Sequence, residues 1–407
     1  VPDGGSREQD TGTIGFVPTR ALALRTECLG PSPTLSISAR AKAMKASGID
    51  VITLSVGEPD FNTPDPICEA AIAAIRKGHT KYTASAGIPE LRAAIAEHLR
   101  SFNGIAADPS EVIVSCGAKQ SVYQTLQVLI NPGDEVILFA PYWMTYRDQV
   151  NLAGGTVVEV ATSAANGFAP SIDDLRAAIT DRTRAIIVNS PSNPTGGVYS
   201  RQVMKEIAAV ALRHGLWVIS DEIYEHLIYE GERTSMAALG KEIAEQTITI
   251  SGFSKTYSMT GWRVGYAHAP KPVATALSNL QDQVTSNPTS FAQYGALQAL
   301  QTPAEEIAAM RESFRVRRDL MVKALRQIPG VSVDVPAGAF YAFPDFSAFL
   351  SESCDDVQLV NKLLEEAGVA TVPGSVFSGP GHIRLSYAVS PDEIERGVAR
   401  IGEALTR

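Results

Sequence analysis

The chain has 407 residues, 45% of them hydrophobic and 19% charged, with a mean hydropathy of +0.02. That is an ordinary globular composition, long enough for two domains or for one large domain with a smaller partner. A net charge of -9 and a pI near 5.3 leave no electrostatic footprint for nucleic acid or an anionic membrane.

In chain order, residues 1–29 come first. They open polar and glycine-rich (VPDGGSREQDTGTIG), lack the apolar core of a signal peptide, and read as a flexible arm. No run of 18 apolar residues follows anywhere, so no membrane-spanning helix is expected and a cytoplasmic protein is the default. From about residue 65 to 300, short apolar runs alternate with amphipathic stretches. The runs are EVIVS (111–115), DEVILF (134–139), RAIIVNS (184–190), LWVIS (216–220) and TITIS (247–251), and KQSVYQTLQVLI (119–130) and SRQVMKEIAAVALRHG (200–215) are typical of the stretches between. This rhythm predicts an α/β fold, a mostly parallel sheet with helices on both faces. Beyond it, 305–330 and 356–367 read as amphipathic helices, and GVSVDVP (330–336), AFYAFPDF (339–346) and HIRLSYA (382–388) as short strands. Residues 59–304 are therefore expected to form a large domain, and 30–58 with 305–407 a smaller α+β one.

Four cysteines (Cys28, Cys68, Cys116, Cys354) lie far apart without a CxxC pair, and six histidines show no HExxH spacing. Neither a disulfide framework nor a metal site is expected.

A parallel sheet gathers its chemistry at the carboxyl ends of its strands. Gly117, Trp143, Asn193, Asp221 and Lys255 each follow one predicted strand end. Ser254-Lys255-Thr256 is not a P-loop, because the required glycine does not precede the lysine, and GxGxxG and GxSxG are absent. By itself Lys255 is either a surface charge or a desolvated amine able to condense with a carbonyl. Asp221 either caps a helix or pairs with a buried cation, and Trp143 either fills the core or stacks on a flat ligand. Asn193 offers a donor to a phenolic oxygen, and SCGAKQ (115–120) opens a helix whose N-terminus suits an anion. A pyridine ring bearing a phosphate, a phenol and an aldehyde would use all of these groups.

SVGEPDF (55–61), KYTASAGIPELR (81–92), PYW (141–143), NSPSNPTG (189–196), SDEIYEHL (220–227), GFSKTYSMTGWRVG (252–265) and HIRLSYA (382–388) occur in this order. In these motifs, from about Pro31 to the C-terminus, the chain resembles the fold-type I pyridoxal-phosphate aminotransferases, class I, of the prokaryotic (Iβ) aspartate aminotransferase kind. The resemblance implies a mostly parallel seven-stranded sheet sandwiched by helices, with a smaller α+β domain. It implies pyridoxal 5'-phosphate as cofactor, with Lys255 condensing with its aldehyde and Asp221 pairing with its ring nitrogen. Asn193 and Tyr224 would hold the ring oxygen, and Trp143 would stack on the ring. Gly117, Ala118, Lys119, Ser254 and Arg263 would receive the phosphate, joined by Tyr82 of a neighbouring subunit, hence a homodimer with shared sites. Arg384 would clamp the substrate α-carboxylate, and Gly57 would let the substrate approach closely.

The same resemblance bears on substrate. Animal-type aspartate enzymes bring an arginine shortly before a Ser-Asn-Pro, whereas this chain reads QDQVTSNP (281–288). In the prokaryotic-type group a lysine at the position of Lys119 takes over, with Thr34 as a second pocket residue. Relatives that use prephenate tend to carry a basic residue where this chain has Gly30. The expectation is transamination of aspartate or glutamate. Prephenate, aromatic or alanine-type specificity and a C–S β-lyase activity remain as alternatives, and a regulatory module finds no DNA-binding segment.

Overall fold

The computed structural model describes residues 22–26, 29–30 and 33–406. Most of the arm expected over 1–29 lies outside these residues, as does Cys28.

Seven strands form the main sheet: β1 (Val112–Ser115), β2 (Glu135–Ala140), β3 (Thr156–Ala161), β4 (Thr183–Asn189), β5 (Trp217–Asp221), β6 (Thr247–Gly252) and β7 (Gly265–His268). Their spatial order is β1-β7-β6-β5-β4-β2-β3. Neighbours from β6 through β5, β4 and β2 to β3 run parallel, and β7 alone is antiparallel to both β1 and β6. Every residue of β1, β2, β6 and β7 is buried, which explains their unbroken apolar runs: helices cover both faces, so no polar alternation is needed. Strands β3 and β7 are the two that apolar runs do not reveal. β3 is a sheet edge with several exposed positions, and β7 is four residues long and ends in His268.

Of the elements expected beyond residue 304, the two helices and two of the three strands are present, most with shorter bounds. The helix expected over 305–330 is Ala304–Leu325, since Pro329 disfavours helical backbone at the residue before it. The strand expected over 330–336 is reduced to one bridge, Ser332 to Asp345. Within 339–346 only Tyr341–Ala342 is a strand, interrupted by Pro344, and within 382–388 only Ile383–Ser386 is. These two join Val372–Pro373 in a three-stranded sheet, and Ile52–Thr53 pairs in parallel with Val369–Ala370.

One apolar core draws together the two ends of the chain. Ile37, Ala41, Ile52 and Leu54 pack in it with Phe314, Phe340, Leu363 and Ile401, and it reaches Tyr224 and Leu227 just past β5. Each fully buried Leu, Ile or Phe contributes roughly 1.5–3 kcal/mol, so this cluster firmly holds the N-terminal segment against the C-terminal part. No helix among the described residues is long and apolar enough to cross a membrane.

Candidate active site

The antiparallel strand β7 decides where the charges fall. Gly265 pairs with both Ser115 and Gly252, so the chain leaving β6 returns, through residues 253–264, to the edge where β1 ends. Lys255 follows β6 and Arg263 precedes β7, and both therefore stand on the same sheet edge. The turn needs its glycines. A Cβ on Gly265 would lie 2.3 Å from the Ala118 amide nitrogen.

At this edge lies a cavity of about 400 Å³. Of the residues singled out in the sequence, Thr34, Gly57, Ala118, Lys119, Trp143, Asn193, Asp221, Tyr224, Ser254, Lys255, Arg263 and Arg384 line it. Gly117 stands directly behind the wall as the N-cap of helix α1 (Ala118–Leu129). Tyr82 is not in this cavity; it is 90% exposed on the surface of the chain.

Lys255 Nζ donates to the Gly57 carbonyl at 2.5 Å. Burial pushes its pKa down to about 8, against the Glu58 carboxylate and with the help of the Arg384 and Arg263 guanidiniums. Asp221, the last residue of β5, is buried, and burial raises its pKa. The Tyr146 hydroxyl (2.6 Å to Oδ2) and the Ile223 amide (3.2 Å to Oδ1) oppose that rise and keep the carboxylate solvated from within. Asn189 supports both neighbours: its Nδ2 donates to the Asp221 carbonyl and its Oδ1 accepts from the Asn193 amide.

Arg384 lies buried in Ile383–Ser386. Its two terminal nitrogens donate to Asn193 Oδ1 and to the Ser55 carbonyl, each at 2.9 Å, while Nε has no partner. A buried guanidinium with an unpaired N–H retains donor capacity toward an anion. The Tyr224 and Tyr341 hydroxyls meet at 2.8 Å, and a Cβ on Gly57 would stand 3.0 Å from the Tyr341 hydroxyl oxygen. Trp143 meets Tyr146 edge-on, and Lys119 Nζ sits 4.8 Å from the centre of the Trp143 ring. The Lys119 side chain is solvent-accessible, yet crowding by the protein and the Arg263 charge lower its pKa.

The start of α1 is an anion cradle. Gly117 adopts φ +88°, and a Cβ there would meet Arg263 Nη2 at 2.5 Å, so guanidinium and helix N-terminus share one spot. Arg263 itself is in the left-handed region (φ +56°), tied to the Thr260 carbonyl at 2.9 Å. A carboxylate, a depressed amine, a flat indole and an anion cradle in one cavity suit a ring with a basic nitrogen, an aldehyde and a phosphate. The donor set fits pyridoxal phosphate.

Tyr146, Asn189, Tyr341 and Ser55 were not singled out by sequence. Tyr146 and Asn189 lie inside or beside quoted motifs, three residues past Trp143 and four before Asn193, whereas Tyr341 carries no local signal. On the far side of Asp221, Glu222 and Glu225 share the Asn103 amide, and Glu225, His98 and His226 bring ligand-type atoms within 4.8 Å of one another. Both Glu225 oxygens already accept hydrogen bonds, from Asn103 and the Ser251 hydroxyl, and the positive charge of Arg233 stands beside both imidazoles. The Glu225 carboxylate is therefore already engaged on both oxygens.

A family model described as aminotransferase class I and II matches residues 49–401. The chain belongs to this family and is a fold-type I, pyridoxal-phosphate-dependent aminotransferase. Within the family it falls in the aspartate-aminotransferase-like subfamily. It is 48% identical over 389 residues to a probable aspartate/prephenate aminotransferase of Aquifex aeolicus, covering 95% of this chain and 99% of that one. It is 48% identical over 383 residues to an aspartate aminotransferase of Geobacillus stearothermophilus, covering 93% and 98%. Among solved structures it is similar to the aspartate aminotransferase of Thermus thermophilus with maleate, at a TM-score of 0.91 and 43% identity over 95% of this chain and 100% of that one. The enzyme from Rhizobium meliloti superposes with a TM-score of 0.91 at 41% identity, over 96% and 100%.

Proposed function

We propose that this enzyme moves an amino group between L-aspartate or L-glutamate and a 2-oxo acid such as 2-oxoglutarate, giving oxaloacetate and glutamate by a ping-pong mechanism. The observation that carries the reading is the presence, in one cavity, of the buried Arg384 guanidinium and the Lys119 ammonium, which makes no ion pair among the described residues. They offer a cation for each end of a dicarboxylate.

When bound, pyridoxal phosphate supplies an aldehyde that takes up the amino group and a cationic ring that withdraws electrons from the substrate Cα. The residues that would hold it are Asp221 at the ring nitrogen, Asn193 and Tyr224 at the ring oxygen, and Trp143 against the ring face. Ser254, Arg263 and the amides of Gly117, Ala118 and Lys119 would hold the phosphate. Lys255 performs the proton work. With its pKa near 8, part of its amine is neutral at physiological pH, so Nζ accepts the Cα proton and later returns one before the oxo acid leaves. Arg384 orients the α-carboxylate, Gly57 leaves room beside it, and Thr34 closes the substrate side of the pocket.

Tyr82 is read as serving the neighbouring copy, so the working enzyme would be a homodimer with shared sites. Its 90% exposure and its place outside its own chain's cavity support this. Residues 30–58 with 305–407 are read as a small domain set against a large one of 59–304.

The test mixes purified holoenzyme with single amino acids and follows conversion of the cofactor to its pyridoxamine form by absorbance. Aspartate and glutamate should react fast, Lys119→Ala should selectively slow them, and Lys255→Ala should abolish the reaction. Fast alanine or phenylalanine with inert aspartate would overturn the dicarboxylate reading. A second reading, prephenate as acceptor, is favoured by the names of the relatives from Aquifex aeolicus and Thermus thermophilus. Gly30 speaks against it, and prephenate offered to the aminated enzyme separates the two. Pyruvate released from cystathionine without any oxo acid would indicate β-lyase chemistry instead.

A further inference from the structure

Helix Pro33–Ala46 contributes one wall of the cavity through Thr34, Ser38 and Lys42. Steps of four residues place these three on one helix face. Arg40, two positions from Lys42 and so on the other side of the helix, binds the helix to its neighbour Asp356–Ala367. It donates to Asn361 Oδ1 at 2.5 Å and to Glu365 Oε1 at 2.6 Å. That anchor turns Lys42 toward the cavity.

The charges lining the cavity then divide cleanly. Asp221, Lys255, Arg263 and Arg384 have tasks in the mechanism above, and the Glu58 carboxylate accepts from the Thr260 hydroxyl at 2.8 Å. Two ammonium groups are left, Lys119 and Lys42. Neither forms an ion pair among the described residues, whose lysines appear in none of the salt bridges there. Among the described residues Lys42 also has no hydrogen-bond partner, and it is exposed to solvent.

We propose that Lys42 is a second specificity-determining cation, reading the distal anionic group of the substrate together with Lys119. The proposal rests on the dicarboxylate reading above. Its physical basis is the demand of a ping-pong reaction, in which one pocket must hold dicarboxylates of two lengths in turn. Two ammonium groups on flexible stems, carried by different elements, meet the distal carboxylate of either length without rebuilding the pocket.

The test uses the holoenzyme with Lys42→Met, Lys42→Arg, Lys119→Met and the Lys42→Met/Lys119→Met pair. The reading is kcat/KM for aspartate, glutamate and alanine in the first half-reaction. The ratio of dicarboxylate to alanine should fall about two- to five-fold in Lys42→Met, the size of one solvent-exposed charge pair. It should return in Lys42→Arg and fall further in the double variant. Lys42 is exposed, so these variants keep the fold, and thermal unfolding checks it. An unchanged ratio in Lys42→Met, with the preference removed by Lys119→Met alone, overturns the role of Lys42 and leaves the dicarboxylate reading standing. Failure of Lys42→Arg to restore the ratio also overturns it. A wild-type enzyme with no preference for dicarboxylates over alanine removes the reading beneath and this proposal together.

Discussion

The Tyr146 hydroxyl donates to Oδ2 of Asp221 at 2.6 Å, with both side chains buried. The donor stands on helix Thr145–Leu152 after β2, the acceptor at the end of β5, two strands away in the sheet. Burial alone would favour the protonated carboxyl, and this bond favours the anion. A hydrogen bond to a charged group is worth roughly 1.5–3 kcal/mol, or about one to two pKa units. Tyr146→Phe should therefore raise the Asp221 pKa and move the acid limb of the kcat/KM profile to higher pH. An acid limb that stays in place would show that Tyr146 only fills space.

Gly117 and Arg263 compete for one volume once a side chain is added. In Gly117→Ala the new Cβ would lie 2.5 Å from Arg263 Nη2, at a backbone φ of +88° that L residues rarely adopt. The guanidinium must swing out of the cradle. The backbone strain costs on the order of 1–3 kcal/mol, and cofactor affinity should fall at least about tenfold, the equivalent of 1.4 kcal/mol. Titration of the apoenzyme with pyridoxal phosphate, followed by absorbance, measures it.

Arg384→Lys keeps the charge and loses the fork. Lysine cannot reach Asn193 Oδ1 and the Ser55 carbonyl together while still offering a planar pair of N–H groups to a carboxylate. We expect kcat/KM to fall by about two orders of magnitude for every amino acid alike, two to three kcal/mol of lost recognition. A loss confined to dicarboxylates would place Arg384 at the wrong end of the substrate.

Glu222 is buried behind Asp221, and burial, reinforced by the Glu225 charge, pushes its pKa up to about 7 from an ordinary 4.5. The Ser220 and Ser235 hydroxyls, each at 2.8 Å, only partly offset this. A raised carboxyl pKa means that the folded state binds more protons than the unfolded chain between pH 4.5 and about 7, so stability falls as pH rises through that window. Glu222→Gln removes the titration, and its unfolding free energy should gain on wild type by on the order of 3 kcal/mol across the window. Parallel stability curves for the two proteins would contradict the assignment.

The apolar runs of β1, β2, β4, β5 and β6 were legible because strands buried on both faces write their environment into consecutive residues. β3, exposed at the sheet edge, and β7, buried but opening on Gly265 and ending in His268, carry no such record. The strand expected over 330–336 failed for a related reason. Its alternation is real, but Pro336 and the neighbouring turn leave it only the bridge from Ser332 to Asp345. Lys255, Asp221, Asn193 and Trp143 were legible as a group because parallel strands deliver whatever follows them to one edge.

The sheet type, the residues at its carboxyl edge and the chemistry they suit are all written in the residues, since they depend on local pattern and on the topology that pattern enforces. Which groups complete them depends on packing between distant elements. Tyr146 meets Asp221 across 75 positions, Tyr341 meets Tyr224 across 117, and Ser55 meets Arg384 across 329. The same packing also turned Lys42 into the cavity by anchoring Arg40 on a helix more than three hundred residues away. Such contacts are set by how distant elements pack, and they leave no period in the residues on either side.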